Sequence, residues 1–290
     1  MVHKSRFQKN VKPFLNCKDH TVSGEQYSLM KNQEFDLLVT SPVPSNLEKY
    51  YQSNAYISHT DAKKSLFDKV YQIVKRHTLK KKAILLDSFV TEEKTVLDVG
   101  AGTGDFLQAC KKNHWKVEGV EPSEKAREIA KSKNIILKKD LSFFKGQKFD
   151  VITLWHVLEH VENLETYTQS LKELLKENGR LLIAVPNYKS FDARYYAAFW
   201  AAFDVPRHLW HFSQKSIQKI FALVSLKVIG VLPMKFDAYY VSLLSEKYRN
   251  GKMNIIKSFW IGFQSNSKAK KTSEYSSLIY VLKSTKNRIQ

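Results

Sequence analysis

From residue 95 onward the apolar positions alternate between two rhythms. Short runs rich in β-branched residues, suited to strands buried on both faces, fall at Thr95–Val99, Lys116–Val120, Ile135–Lys138, Phe149–Leu154, Arg180–Val185, Lys227–Leu232 and Ser277–Lys283. Between them apolar residues recur at helical spacing, predicting helices at Gly104–Lys112, Ser123–Lys133, Asn163–Lys176 and Gln214–Val224. Gly179 would close the third of these helices and Ser213 would cap the fourth. Strand alternating with helix implies an α/β protein, a parallel sheet with helices on both faces.

The pattern upstream is weaker. Met1 to Lys18 reads as a basic tail, and His20 to Thr40 alternates as a small antiparallel hairpin. Pro42 and Pro44 precede a short helix, Ser45 to Gln52, and the uncharged tract Ser53 to Thr60 reads as a lid or a connector. Asp61 would cap an amphipathic helix to His77, with Leu66, Val70, Ile73 and Val74 on one face; Leu79 to Phe89 forms a second helix. Between the sixth and seventh strands, Asp237–Arg249 and Asn254–Gln264 read as helices separated by Asn250-Gly251, with a polar, unstructured tip at Ser265–Ser273. The organisation expected is an extension (1–60), a helical lead-in (61–90) and a main domain (91–290) carrying a cap (186–212) and an insertion (234–273). The insertion is placed to shape substrate choice, meet a partner or lie on a membrane.

The first core strand runs into Asp98-x-Gly100-x-Gly102-x-Gly104, and a helix follows. Strand, glycine turn and helix bring a ligand against bare backbone at a helix N-terminus. The spacing is neither the G-x-G-x-x-G of dinucleotide sites nor a phosphate loop, which needs Lys-Ser or Lys-Thr. Glu121, 17 residues beyond Gly104 at the tip of the second strand, is placed to accept from a ribose diol.

Composition narrows the setting. The chain has 290 residues, a net charge of +19 and two cysteines, Cys17 and Cys110, which excludes a disulfide framework and points to a reducing cytoplasm. No apolar run suggests a signal peptide or a membrane span. Lysines are scattered, so solvated faces are the simpler reading; an anionic membrane surface, with the protein peripheral to it, or an acidic substrate is the sharper one.

Three runs, VLDVGAGTGDF, VEGVEPS and FDVITLWHVLEHV, resemble the class I S-adenosylmethionine-dependent methyltransferases. Within them the chain is most similar to the small-molecule enzymes that include the ubiquinone-pathway O-methyltransferases, over about Thr91 to Leu232. The resemblance implies a Rossmann-like, seven-stranded, mostly parallel sheet with its last strand antiparallel, and S-adenosyl-L-methionine as cofactor. It implies that Asp98, Gly100, Ala101, Gly102 and Gly104 line the methionine half of that cofactor and that Glu121 and Pro122 meet the ribose. Asp140 and Leu141 would meet the adenine, and Trp155 and His156 would flank the sulfonium.

His156, Glu159 and His160 share a helical face in H-x-x-E-H, also a zinc-peptidase pattern. The preceding apolar strand and the glycine turn upstream argue against a peptidase. Ubiquinone-type relatives carry glutamate where His156 stands and can bind a divalent cation there; because of that departure no metal is assigned. Some relatives carry paired cysteines near the N-terminus, but only Cys17 is present here, so no metal is expected at that end either.

Pro186 to Ser213 is dense in aromatic residues and reads as a cap over an acceptor pocket. His208, then His211, with His156 behind them, are candidates to take a proton from an acceptor hydroxyl; the plainer reading is that the cap histidines hold the cap together. Trp155, Tyr188 and Trp200 are candidates for an aromatic wall around the sulfonium, and Arg207 for pairing with an acidic acceptor or a cap carboxylate. The expected activity is in-line methyl transfer from S-adenosylmethionine to an oxygen of a small-molecule, lipid-linked or saccharide acceptor. The alternatives are a nucleic-acid methyltransferase, suggested by charge but lacking an Asn-Pro-Pro-Tyr motif, and a non-catalytic cofactor-binding module.

Overall fold

The computed structural model describes residues 5–51, 66–89 and 93–285. The tract Ser53–Thr60 and the expected cap Asp61 lie outside the described residues. In chain order the elements are β1 (Val11–Lys18), β2 (Gln26–Asn32), β3 (Leu37–Ser41), α1 (Leu66–Asp87), β4 (Thr95–Val99), α2 (Asp105–Lys112), β5 (Lys116–Val120) and α3 (Glu124–Ser132). They continue with β6 (Phe149–Trp155), α4 (Leu164–Leu174), β7 (Leu175–Pro186), α5 (Phe191–Tyr196), β8 (Trp210–His211), α6 (Gln214–Ala222), β9 (Leu226–Pro233), α7 (Asp237–Asn250), α8 (Ile255–Thr272) and β10 (Ser277–Ser284).

The central sheet has the order β5-β4-β6-β7-β10-β9. Strands β5, β4, β6 and β7 are parallel, and β10 inserts antiparallel between β7 and β9. Val96, Leu97, Ile152, Leu154, Leu181 and Ile183 are fully enclosed, as strands covered on both faces require. The sheet therefore has six strands, not seven. The segment expected as a strand at Ile135–Lys138 forms a single bridge to Val120. Ile135 and Leu137 turn into the core while Ile136 is 60% exposed, and the chain leaves the edge at once for a 3-10 turn at Leu141–Phe144.

Several other expectations are corrected. Helix α4 ends at Leu174 and β7 begins at Leu175, so Gly179 lies inside a strand. A Cβ there would stand 2.8 Å from Leu175 Cδ1 and 3.0 Å from Asp150 O, so close approach, not a left-handed cap, explains the glycine. Ser213 does cap α6, accepting from the Ser216 N–H in a reciprocal pair. The expected helices on either side of Thr78 are one helix, Leu66–Asp87, because nothing at Thr78 breaks it. The helix expected at Ser45–Gln52 is a single 3-10 turn, Glu48–Tyr50. The expected tip Ser265–Ser273 is mostly the last turns of α8, held by Ser265, whose hydroxyl donates to buried Asp192 at 2.6 Å.

Residues 11–18 form strand β1, not a tail; Pro13 sits beside a register shift on the outermost strand, where its missing N–H is tolerated. A second sheet runs β1-β2-β3-β8, the last strand contributed by the cap through Leu38 opposite His211 and Val39 opposite Trp210. One apolar cluster joins Cys17, Tyr27 and Leu29 of this sheet to Tyr196, Trp200 and Phe203 of the cap, and reaches Val241 and Ile261 of the insertion. The N-terminal sheet, cap and insertion thus share a core beside the main sheet.

Candidate active site

The carboxyl ends of β4, β5 and β6 meet at the glycine turn. The N–H groups of Gly100 and Ala101 both donate to Val120 O, at 2.8 and 2.9 Å, which folds the turn across the end of β5. Gly100 has φ +73°, and a Cβ on it would lie 2.4 Å from Val157 Cγ2. Gly102 has φ +53° and open space where its Cβ would be. One glycine is required by contact and the other leaves bare backbone facing a void. Glu121 accepts from the Gly102 N–H through Oε2 and from the Ser123 N–H through Oε1, both at 2.9 Å, so its carboxylate is fixed at the mouth with lone pairs to spare. Helix α2 begins directly after, tied down by Asp105 to Lys75 of α1 at 2.7 Å and to Lys133 at 2.6 Å.

Below the turn, Asp98 is 2% exposed and accepts from Thr153 Oγ1 at 2.6 Å. Burial pushes its carboxyl up to about 7, against the opposing pull of that hydrogen bond and of the Lys82 charge. Burial likewise lowers Lys82 to about 8, while Asp98 and Asp237 pull it upward. The Lys82 ammonium sits 4.0 Å from the centre of the Trp155 ring, and the buried Trp155 indole N–H has no partner. Lys82 and Thr153 were not among the sequence candidates; Lys82 is one of many lysines on α1 until the fold turns it inward.

Where β6 ends, His156 takes φ +58°, uncommon for a residue with a side chain. H-x-x-E-H does not form the expected α-helical face: Leu158–His160 is a 3-10 turn and His156 precedes it. The half-exposed His156 ring lies between two carboxylates, Asp237 Oδ2 at 3.2 Å from Nε2 and Glu159 Oε1 at 3.4 Å from Nδ1. Burial works against its positive charge, yet Asp237 and Glu159 outweigh it and raise the ring to about 9. Glu159 is 1% exposed; burial alone would raise it, but His156, His208 and His160 together hold it below the usual carboxylate range. Asp237 opens α7 and is 81 residues from His156 in sequence, so only the folded chain makes it a candidate.

On the inner side, Glu159, His160 and His208 each offer a ligand atom within 4.8 Å of the others. Burial and the neighbouring His208 charge lower His160 to about 4, leaving it a neutral imidazole. His156 stands outside this group and is turned to Asp237 instead. The residues present therefore fit a divalent cation with His208 in its place, where it would supply Lewis-acid polarisation.

The remaining candidates are dispersed. Asp140 is exposed and accepts from the Ser142 hydroxyl and from the Ser142 N–H at 2.9 Å, which together lower its carboxyl; Leu141 follows it in the 3-10 turn, and Pro122 is an exposed loop residue beside Glu121. His208 is buried with Nδ1 2.9 Å from Ala202 O. His211 lies in β8 with Nε2 3.0 Å from Thr40 Oγ1, and burial holds it well below neutral pH. Trp200 and Tyr188 do not line the mouth with Trp155. The Trp200 indole N–H donates to Asp192 at 2.8 Å and the Tyr188 hydroxyl to Asp36 at 2.9 Å, both inside the second core. Arg207 pairs with the cap carboxylate Asp204.

The donor set suits an adenosyl sulfonium compound: an anchored carboxylate for a diol, open glycine backbone, a half-buried indole and a buried acid. The sequence model of the methyltransferase domain family matches residues 56–231. The chain belongs to this family, and with its doubly covered, mostly parallel sheet it is a class I S-adenosylmethionine-dependent methyltransferase. It is 36% identical to the ubiquinone biosynthesis O-methyltransferase of Histophilus somni, across 35% of this chain and 48% of that protein. It is 34% identical to the mitochondrial enzyme of the same name from Schizosaccharomyces pombe, across 31% and 37%. These matches span half or less of the relatives' length. Magnesium protoporphyrin IX methyltransferase of Synechocystis shares the fold at a TM-score of 0.54, with 16% identity over 81% of this chain and 97% of that one.

Proposed function

We propose that the chain methylates an oxygen of a small hydroxylic acceptor, which enters beside His156 and Asp237. Similarity to the O-methyltransferases supports the acceptor class. The observation that carries the reading is the Asp237–His156–Glu159 cluster at the carboxyl end of β6, next to Trp155. When bound, S-adenosylmethionine supplies an activated methyl group that needs only an aligned nucleophile. Gly100, Gly102 and Glu121 fix the donor's place, and the Trp155 face provides a weakly polar wall beside it.

A histidine raised to about 9 is already protonated at neutral pH and is a poor proton acceptor by itself. The cluster as a whole holds two carboxylates and one imidazolium, a formal charge of −1. It can therefore receive the acceptor's hydroxyl proton as the new carbon–oxygen bond forms, becoming neutral as the positive charge on sulfur disappears. In this scheme Asp237, the outer carboxylate, receives the hydroxyl hydrogen bond, and His156 orients it. His208 and His211, buried behind the cluster, hold the cap against the core.

The test is radiolabelled methyl transfer to a panel of catechols, quinols, hydroxylated lipids and sugars. The wild-type chain should turn over at least one of them, and Asp237→Asn should lower kcat on the order of 100-fold with S-adenosylhomocysteine affinity unchanged. Undiminished kcat in Asp237→Asn, or no turnover of any hydroxylic acceptor in the panel, contradicts the proposal.

A further inference from the structure

Helix α8 (Ile255–Thr272) is packed with its small side inward. The residues it buries are Ser258, Ile261, Gly262, Ser265 and Ala269, and at Gly262 a Cβ would meet Tyr239 Cδ1 at 2.7 Å. The two insertion helices approach closely through small residues, while the large apolar side chains of α8 are left outside. Ile256 is 86% exposed, Phe259 61%, Trp260 57% and Phe263 55%, at i, i+3, i+4 and i+7, with Trp260 and Phe263 stacked 6.0 Å apart. Four large apolar side chains along one ridge form a patch that a water-exposed helix face does not ordinarily carry.

The charge around this ridge has one sign. Residues 234–273 contain eight Lys and Arg against two acids, Asp237 and Glu246. Both acids are occupied: Asp237 lies against His156, and Glu246 is fully buried with Lys257 3.2 Å away. Lys252, Lys270 and Lys271 stand exposed at the two ends of α8. A protruding helical ridge of Trp, Phe and Ile flanked by lysines has the composition of a helix lying in a bilayer interface. There aromatic rings settle at headgroup depth and lysines meet anionic lipid. The ridge is also joined to the site, since the Phe259 ring lies 5.0 Å from that of Tyr239, two residues beyond Asp237 on the other insertion helix.

We infer that the α8 ridge docks this protein on an anionic phospholipid surface, with the Asp237 side of the insertion turned toward that surface. Docking here goes beyond the methyl-transfer reading and does not depend on it. The experiment is co-sedimentation of the full chain with phosphatidylcholine vesicles and with vesicles that also contain phosphatidylglycerol. The protein should partition onto the anionic vesicles and be released by salt. Ile256→Ser/Trp260→Ser/Phe263→Ser should lower partitioning on the order of tenfold without lowering the melting temperature, since these three side chains are more than half exposed, whereas Phe259 is kept because its ring packs on Tyr239. A second variant, Lys270→Glu/Lys271→Glu, should weaken binding to the anionic vesicles only. Failure of the wild type to bind anionic vesicles, or binding of the triple variant to them as tight as that of the wild type, overturns the inference. A solution dimer that the triple variant converts to monomer also overturns it, because a second copy then covers the ridge.

Discussion

Asp98 shows how a single residue can trade stability for a site. Its folded carboxyl titrates near 7, well above the roughly 4 of an unfolded aspartate. The folded chain therefore holds this proton more tightly than the unfolded one. The stability that confers is complete below about pH 4 and is lost as pH rises toward about 7. Asp98→Asn should remove that loss: the variant should match wild type near pH 4 and exceed it at pH 8. The gain, limited because Lys82 loses a neighbouring charge, should be on the order of 1 kcal/mol. Thermal melts across pH check this, and parallel pH profiles for the two proteins would contradict it. Asp98 and Glu121 were legible in the sequence because each stands at a fixed step from the glycines. Asp237 and Lys82 were not, because α1 and α7 bring them to the mouth from distant stretches of chain.

At the scale of elements, the turn after β4 depends on two glycines for different reasons. Gly100→Ala would drive a methyl group to 2.4 Å from Val157 at a left-handed φ, and Val157 lies in the loop that carries His156. Gly102→Ala meets nothing, so only its left-handed backbone opposes it. Unfolding should show Gly100→Ala less stable by about 2–4 kcal/mol and Gly102→Ala by about 1 kcal/mol; equal losses would mean that the Val157 contact relaxes freely. The strands of the main sheet could be read directly, since burial on both faces leaves continuous apolar runs. Strand β1 could not, because Pro13 and three of its charged or amide residues give it no such run. The strand expected at Ile135–Lys138 shows the converse failure. Its apolar run is genuine, but at the sheet edge it makes only one bridge before the chain turns away.

Across the whole molecule, the aromatic cap is where sequence and structure part most widely. Its density of rings reads as a pocket lining, yet Tyr188, Tyr196 and Trp200 pack against the N-terminal sheet and the insertion. The pairing of β8 with β3 joins residues about 170 positions apart, which no local pattern announces. The consequence for function is that the N-terminal sheet and insertion brace the cap from one side. The mouth is left to Trp155, His156 and Asp237. Among the described residues no helix is long and apolar enough to cross a membrane.

All of these roles require the glycine turn and Glu121 to hold an adenosyl sulfonium compound. Titration calorimetry of the full chain with S-adenosylhomocysteine measures that directly. Saturable one-to-one binding should appear, weakened at least about tenfold in Glu121→Ala, which loses the hydrogen bonds of a charged acceptor. No heat at millimolar ligand, or the same affinity in wild type and Glu121→Ala, would contradict it.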